Sequence, residues 1–119
     1  MPDVEIYINN IDEKSLLGWI SSVLEEVVEV QRDDEMVILS GVFDKSIVPV
    51  IIQKNVENLD LTGVWFNSEI TPWSSDLECA REAFYSLNKT VLCDPGEEYP
   101  SPTQFLEISE NGEKLITIE

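Results

Sequence analysis

Residues 28–67 decide the fold and read VEVQRDDEMVILSGVFDKSIVPVIIQKNVENLDLTGVWFN. This stretch contains four short apolar runs rich in valine and isoleucine, the residues that favour β-strands. An acidic turn at residues 33–35 and a polar turn at residues 44–46 separate the first three runs. The pattern predicts a meander with strands at residues 28–30, 36–43, 47–53 and 63–67. Because Pro49 cannot donate a hydrogen bond to a ladder, we expect the third of these strands to be an edge strand or to carry a bulge.

On the N-terminal side of this stretch, the sequence predicts a strand and a helix. Val4, Ile6 and Ile8 alternate with polar residues, which is the period of a half-buried strand. Apolar residues then recur every three or four positions on one predicted helix face: Leu16, Leu17, Ile20, Val23, Leu24, Val27 and Val28. Asp12 or Ser15 is the expected N-cap. This assignment places Glu25 and Glu26 near the C-terminal end of the helix, where the macrodipole disfavours anions.

On the C-terminal side, a second helix and a hairpin are predicted. Ser75 and Glu78 have the spacing of a capping box, and Asn88 suits a left-handed helix end. The buried face of this helix should carry Leu77, Ala80, Phe84 and Leu87. A strand at residues 91–93 follows, and the chain closes with a hairpin in which Asn111 and Gly112 are expected to form a type I′ turn.

These elements predict an α+β fold with the order β-α-β-β-β-α-β-β. We expect a mostly antiparallel sheet with two helices packed on one face. The 119 residues, of which 43% are hydrophobic, suit one hydrophobic core, so residues 1–119 are predicted to form a single acidic domain.

The chain has an unusually large negative net charge for its length. Its 24 acidic and 7 basic residues give a formal net charge of −17, with no histidine. Such a field repels phosphates and anionic lipids and attracts basic proteins, so we expect no nucleic-acid partner and no membrane binding. An alternative is that the acidity serves only solubility.

Asp3 and Glu5 stand where a signal peptide would carry positive charge, which predicts a cytoplasmic protein.

The residues needed for most enzyme chemistry are missing from the sequence. Without histidine, a Ser-His or Cys-His nucleophile cannot be assembled. The five glycines are scattered, so no phosphate-binding loop is indicated. Cys79 and Cys93 are too few for a zinc site, and either two buried thiols or a disulfide remains open for them. We therefore predict a non-catalytic protein with no metal and no cofactor.

Acidic and aromatic residues are the best candidates for binding a partner. Six carboxylates crowd into eleven residues beside the single arginine Arg32: Glu25, Glu26, Glu29, Asp33, Asp34 and Glu35. They predict a focused negative patch that steers a basic partner, although a solvated face is the alternative. Trp73 and Asp76 are added as a possible contact for lysine or arginine, since aromatic rings flanked by carboxylates suit such side chains. Of the nearby rings Trp65, Phe66, Trp73 and Tyr85, we expect at least two in the core.

Two protein families share this character. The block TPWSSDLECAR at residues 71–81, with Cys93-Asp94-Pro95-Gly96, resembles the small acidic immunity proteins of bacterial toxin systems, as do the size and acidity of the chain. That resemblance implies a protein that occludes a toxin by electrostatic and aromatic contacts and has no catalytic residues.

Residues 12–119 are also similar to the class I chaperones of type III secretion, which share the acidity and much of the element order. The chain departs from that pattern by its strand at residues 4–8 and by having no third helix.

A third interpretation is that the protein is a regulatory module that binds a small ligand, which requires an apolar pocket. The expected partner is therefore a basic protein, either a toxin or a secreted effector, and a homodimer remains open.

Overall fold

The computed structural model describes residues 3–56, 60–96 and 103–118. Within these ranges the elements are β1 (Val4–Asn9), α1 (Glu13–Val23), β2 (Glu25–Arg32), β3 (Met36–Phe43), β4 (Ser46–Val56), β5 (Leu61–Phe66), α2 (Asp76–Leu87), β6 (Val91–Cys93), β7 (Gln104–Ser109) and β8 (Gly112–Thr117). The α+β class and the order of the strand and helix groups are confirmed. The described residues hold four strands between the helices and three after α2, one more in each group than the predicted order contains. The four predicted runs of residues 28–67 each form a strand, as do residues 91–93 and both arms of the final hairpin.

The strands form one antiparallel sheet with the order β2-β3-β4-β5-β1-β6-β7-β8. The N-terminal strand β1 lies inside the sheet between β5 and β6, and its Ile6 and Ile8 are fully buried. The meander therefore occupies one half of the sheet and the C-terminal strands occupy the other. As a result, β2 and β8 are the two edge strands.

The register of the sheet gives each of its faces a distinct character. One row of side chains crosses β3, β4, β5 and β1 in register on the buried face, and its members are at most 1% exposed: Val37, Ile52, Val64 and Ile6. The helices complete this core with Leu16, Trp19 and Ile20 of α1 and with the small residues Cys79, Ala80 and Ala83 of α2. Alternation places the next residues of each strand on the opposite face.

The first helix ends earlier than the sequence pattern predicts. α1 stops at Val23, and Leu24 already has an extended backbone, with φ −123° and ψ 154°. The prediction that Val27 and Val28 continue the helix is wrong, since both belong to β2, whereas the strand predicted at residues 28–30 is confirmed as part of β2. Glu25 and Glu26 accordingly open β2 and do not end α1. β-branched residues favour strands, so Val27 and Val28 suit β2 as well as they suit the helical spacing.

Of the two alternatives for the strand that contains Pro49, the edge strand is wrong and the bulge is present. β4 is an interior strand, and its register against β5 shifts between Gln53 and Val56, at some distance from Pro49. The carbonyl of Pro49 accepts a hydrogen bond from the N–H of Asn67, just beyond the end of β5. A strand residue directs its N and O to the same side, so the missing N–H of Pro49 faces the end of β5 and removes no bond from the β3–β4 ladder.

The predicted helix caps are present, whereas the final turn differs. Asp12 and Ser75 accept N-cap hydrogen bonds from Ser15 and Glu78, and Asn88 ends α2 with φ 56° and ψ 39°. In the β7–β8 hairpin, Ser109 pairs with Gly112, which leaves residues 110 and 111 in the turn. Gly112 has φ 105° and Asn111 has a negative φ, so the turn is not type I′.

Candidate functional site

The predicted acidic residues lie along one edge of the sheet. We call residues 25–35, which comprise β2 and the turn after it, the acidic edge. Among the described residues, β3 is the only strand hydrogen-bonded to β2. Nearly every β2 residue is exposed, and the side chains of Val28 and Val30 are 58% and 64% exposed. β2 therefore presents an unpaired backbone edge with both charged and apolar side chains.

Arg32 is not available to a ligand, because it is held by two glutamates. Its guanidinium binds the Glu13 carboxylate of α1 through two nitrogens, at 3.0 and 2.8 Å, and also binds Glu29 at 2.8 Å. Lys54 of β4 reaches the same Glu13 at 3.0 Å. These hydrogen bonds, first from Arg32 and then from Lys54, lower the pKa of Glu13 to about 2. Glu29 thus takes part in a network that ties α1 to β2 and β4.

Asp33 has a local structural role in the turn after β2. Its Oδ1 accepts the backbone N–H groups of Glu35 and Met36, both at 2.8 Å. These hydrogen bonds lower the pKa of Asp33 and fix the β2–β3 hairpin. The sequence-predicted cluster therefore contains two carboxylates, Glu29 and Asp33, that already have partners.

The remaining four carboxylates form two separate pairs. The side chains of Glu25, Glu26, Asp34 and Glu35 make no hydrogen bond or ion pair with any residue in the described ranges. The first pair begins β2 and the second follows its end, so they are about 25 Å apart along a strand that rises about 3.3 Å per residue. The acidic edge is thus two negative ends joined by an exposed strand, and not one focused patch.

A groove adjoins the first of these pairs. It has a volume of about 570 Å³ and is lined by the last turn of α1, by residues 24–27 and by Phe43. α1 has no basic residue in its last turn, so the partial negative charge of its C-terminal end is not offset there. Glu26 has φ 49°, at a register shift between β2 and β3. Two carboxylates and a helix C-terminus make this groove attractive to a cation.

Trp73, which the sequence analysis proposed as a contact residue, lies in the core. It is 7% exposed, stacks on Trp19 with ring centroids 5.8 Å apart and meets Phe66 edge-on at 4.8 Å. Its ring is therefore not offered to a partner, and we leave it out of the binding surface. Phe66 is also fully buried, while Tyr85 is 89% exposed, which confirms that at least two of the four rings belong to the core.

Asp76 lies at the start of α2, away from the acidic edge. Its Oδ1 accepts the backbone N–H of Glu5 in β1 at 3.2 Å. Burial, together with repulsion from Asp94, Glu5 and Asp3, raises the pKa of Asp76 to about 6. β1 is four strand positions from β2, about 19 Å at roughly 4.8 Å per step. The structure therefore does not bring Asp76 to the other predicted site residues.

Replacing Asp76 with asparagine should stabilise the protein at neutral pH. The pKa of Asp76 is about 6 in the folded protein, above the ordinary value of 3.8. The protonated carboxyl group is therefore favoured by folding, and its contribution to stability is fully present below pH 3.8 and is lost as the pH rises through 6. Asp76→Asn keeps the acceptor for Glu5 without the charge. Because Asp76 is only half-buried, we expect a gain of about 1 kcal/mol near neutrality and none near pH 4, measured by urea unfolding.

The matched control for Asp76→Asn is Glu82→Gln, which removes one charge from an exposed position of the same helix. It should change stability by less than about 0.5 kcal/mol at either pH. An equal gain from both substitutions would assign the effect to the overall charge of the protein and not to the surroundings of Asp76.

Two exposed apolar residues were not identified from the sequence as part of the site. Val28 and Val30 flank Glu29 on the edge strand, within the strand that the sequence pattern predicts at residues 28–30. The signal for them was available, because two valines alternate with glutamate in a β-rich stretch. Their exposure could not be predicted, since it depends on which strand lies at the edge of the sheet.

The other side chains that could react or bind a metal ion are buried or lie apart from one another. Cys79 and Cys93 are free, buried thiols, and burial raises the pKa of Cys93 to about 12. Within residues 3–56, 60–96 and 103–118, no group of three acidic, cysteine or histidine side chains could hold a metal ion. Neither helix in these ranges is long and apolar enough to cross a membrane.

Comparison of the chain with protein-family models, with curated proteins and with solved structures finds no match. What can be inferred about function therefore rests on the geometry and charge of the acidic edge.

Proposed function

We propose that this protein is a non-catalytic binding protein that neutralises or escorts a basic protein partner. The form we favour is an inhibitor of the immunity type, which binds a toxin and blocks its action. A secreted effector is the partner in the escort form. The binding surface is the acidic edge, and its contacts are Glu25, Glu26, Asp34 and Glu35 together with Val28 and Val30.

The observation that carries this proposal is the distribution of paired and unpaired charge. Four of the seven basic residues, Arg32, Lys54, Arg81 and Lys114, are already ion-paired to glutamates of the same chain. The carboxylates at both ends of the acidic edge have no such partner in the described ranges. The edge therefore offers negative charge that the chain itself does not neutralise.

The groove beside Glu25 and Glu26 provides a place where these carboxylates could bind a basic side chain of the partner. The groove beside Glu25 and Glu26 is large enough for a lysine or arginine, and the C-terminal end of α1 adds negative potential to it. Glu25 and Glu26 are exposed, so a cation bound there would meet two solvated carboxylates, and salt would weaken that attraction. The net charge of −17 would also accelerate the approach of a basic protein at low ionic strength.

The test is to capture a partner and then to measure its binding rates. The tagged protein is incubated with lysate of its source cells at about 50 mM and about 300 mM salt, since salt screens long-range attraction. We expect one basic protein to be retained at low salt and lost at high salt. With that protein purified, Glu25→Gln combined with Glu26→Gln should slow association by roughly tenfold and alter dissociation less.

The control variant carries Glu82→Gln and Glu110→Gln, which change the net charge by the same amount at exposed sites outside the acidic edge. Its association rate should fall by less than about twofold. A retained partner that is acidic, or binding that does not respond to salt, contradicts the proposal. Equal slowing by both double variants would show that only the overall charge matters and not the acidic edge.

A further inference from the structure

We propose that the acidic edge binds its partner by strand addition: an extended basic segment of the partner pairs with the free side of β2 as a ninth strand. This inference rests on the proposed function and specifies how the same surface acts. Edge strands present a row of unpaired N–H and C=O groups, and an extended peptide can satisfy them. β2 is eight residues long and has its outer side open in the described part of the chain.

Charge distinguishes β2 from the other edge of the sheet. β2 carries three glutamates, and its one arginine is neutralised by Glu13 and Glu29. β8 carries one glutamate and one lysine, both of them ion-paired to neighbouring side chains. A basic segment is therefore attracted to β2 and has no comparable attraction to β8. Two copies of this chain would place like charges opposite each other at a β2–β2 contact, which opposes self-pairing.

The positions of the side chains define the segment that fits. The free carboxylates lie at the two ends of the acidic edge, with Glu25 and Glu26 at one end and Asp34 and Glu35 at the other. Val28 and Val30 lie between them and are more than half exposed. The complementary segment is thus about eight to ten residues long, with lysine or arginine at both ends and β-branched residues in the middle.

The bulges of β2 limit which strands can pair with its free edge. Register shifts occur between Glu25 and Val28 and between Glu29 and Gln31. Bulges and charged residues are the devices by which sheets resist indiscriminate pairing. Here they would reject apolar or acidic strands, while a basic segment would gain charge pairing that offsets the distorted ladder. The edge is therefore selective for the charge of the strand that joins it.

The experiment uses the full chain and a synthetic ten-residue peptide, Lys-Arg-Thr-Val-Thr-Val-Thr-Val-Arg-Lys. Two further peptides have the same side chains but carry backbone N-methyl groups at the odd or at the even central positions. Only one set of alternate N–H groups faces β2 in a paired strand, so one methylated peptide should bind at least tenfold more weakly and the other should bind nearly as well as the parent. Hydrogen exchange should show new protection at β2 amides and none at β8.

Each other outcome has a definite meaning. If both methylated peptides bind as tightly as the parent, or if protection appears on β8 or on the helices, strand addition at β2 is overturned while an electrostatic binding function can still stand. Absence of binding by the parent peptide at low salt also overturns the inference. The proposed function fails by a different result, namely when lysate capture recovers no basic protein.

Variants locate the ends of the bound segment. Replacing Asp34 and Glu35 with asparagine and glutamine should weaken the parent peptide by about threefold to tenfold. The pair Glu25→Gln and Glu26→Gln should do the same, and the Glu82→Gln and Glu110→Gln control should not. A loss confined to one pair would contradict a segment that spans the whole edge.

Discussion

Replacing Trp73 with alanine should lower the free energy of unfolding by about 3–5 kcal/mol. Trp73 precedes α2 and packs against Trp19 of α1 and Phe66 at the end of β5, with ring centroids 5.8 and 4.8 Å away. The three rings contact one another and join α1 and the segment before α2 to the sheet. Removing Trp73 leaves a cavity that the rigid sheet cannot close, so urea unfolding followed by circular dichroism should show a lower midpoint.

Trp73→Phe separates the contribution of the ring contacts from that of the indole N–H group. The indole nitrogens of Trp73 and Trp19 are buried and donate to no acceptor in the described residues. Phenylalanine keeps most of the ring contacts and removes one unpaired N–H group, so its effect should stay below about 1.5 kcal/mol. A loss under about 1 kcal/mol for Trp73→Ala would show that the contacts of this ring with Trp19 and Phe66 contribute little to stability.

The strands were predictable because their signal is local. Short runs rich in valine and isoleucine, separated by polar turns, are recognisable wherever the strand lies in the sheet. The end of α1 was not predictable in the same way, because Val27 and Val28 satisfy the helical spacing and also suit a strand. What decides between them is tertiary: Leu24 leaves the helix to pack on β3, where Gly41 leaves room for it.

The candidate site was predictable as a composition but not as an arrangement. The acidic residues are evident in the sequence, whereas the pairing of Arg32 with Glu13, nineteen positions away, requires the folded contact between α1 and β2. Trp73 illustrates the opposite error. An aromatic residue in a connecting segment is compatible with an exposed contact or with the core, and only the packing of Trp19 and Phe66 decides between them.

Replacing Gly41 with valine should destabilise the protein by about 1–3 kcal/mol and disturb the groove. A Cβ at Gly41 would lie 2.8 Å from Leu24 Cδ1 and 3.0 Å from Leu24 Cβ. The end of the leucine side chain can rotate away, but its Cβ moves only with the backbone, so the α1–β2 junction must shift. Urea unfolding measures the loss, and amide chemical shifts of Glu25 and Glu26 report the displacement.

Gly18→Ala is the matched control, because a Cβ at Gly18 meets nothing within 4 Å and the position lies inside α1. Alanine should stabilise that helix by about 0.5–1 kcal/mol. If Gly41→Val were neutral as well, the close approach of Leu24 to β3 would not be what positions the junction. With the expected loss, one glycine in β3 fixes where β2 begins, and thereby holds Glu25 and Glu26 beside the C-terminal end of α1, where a basic partner would meet them.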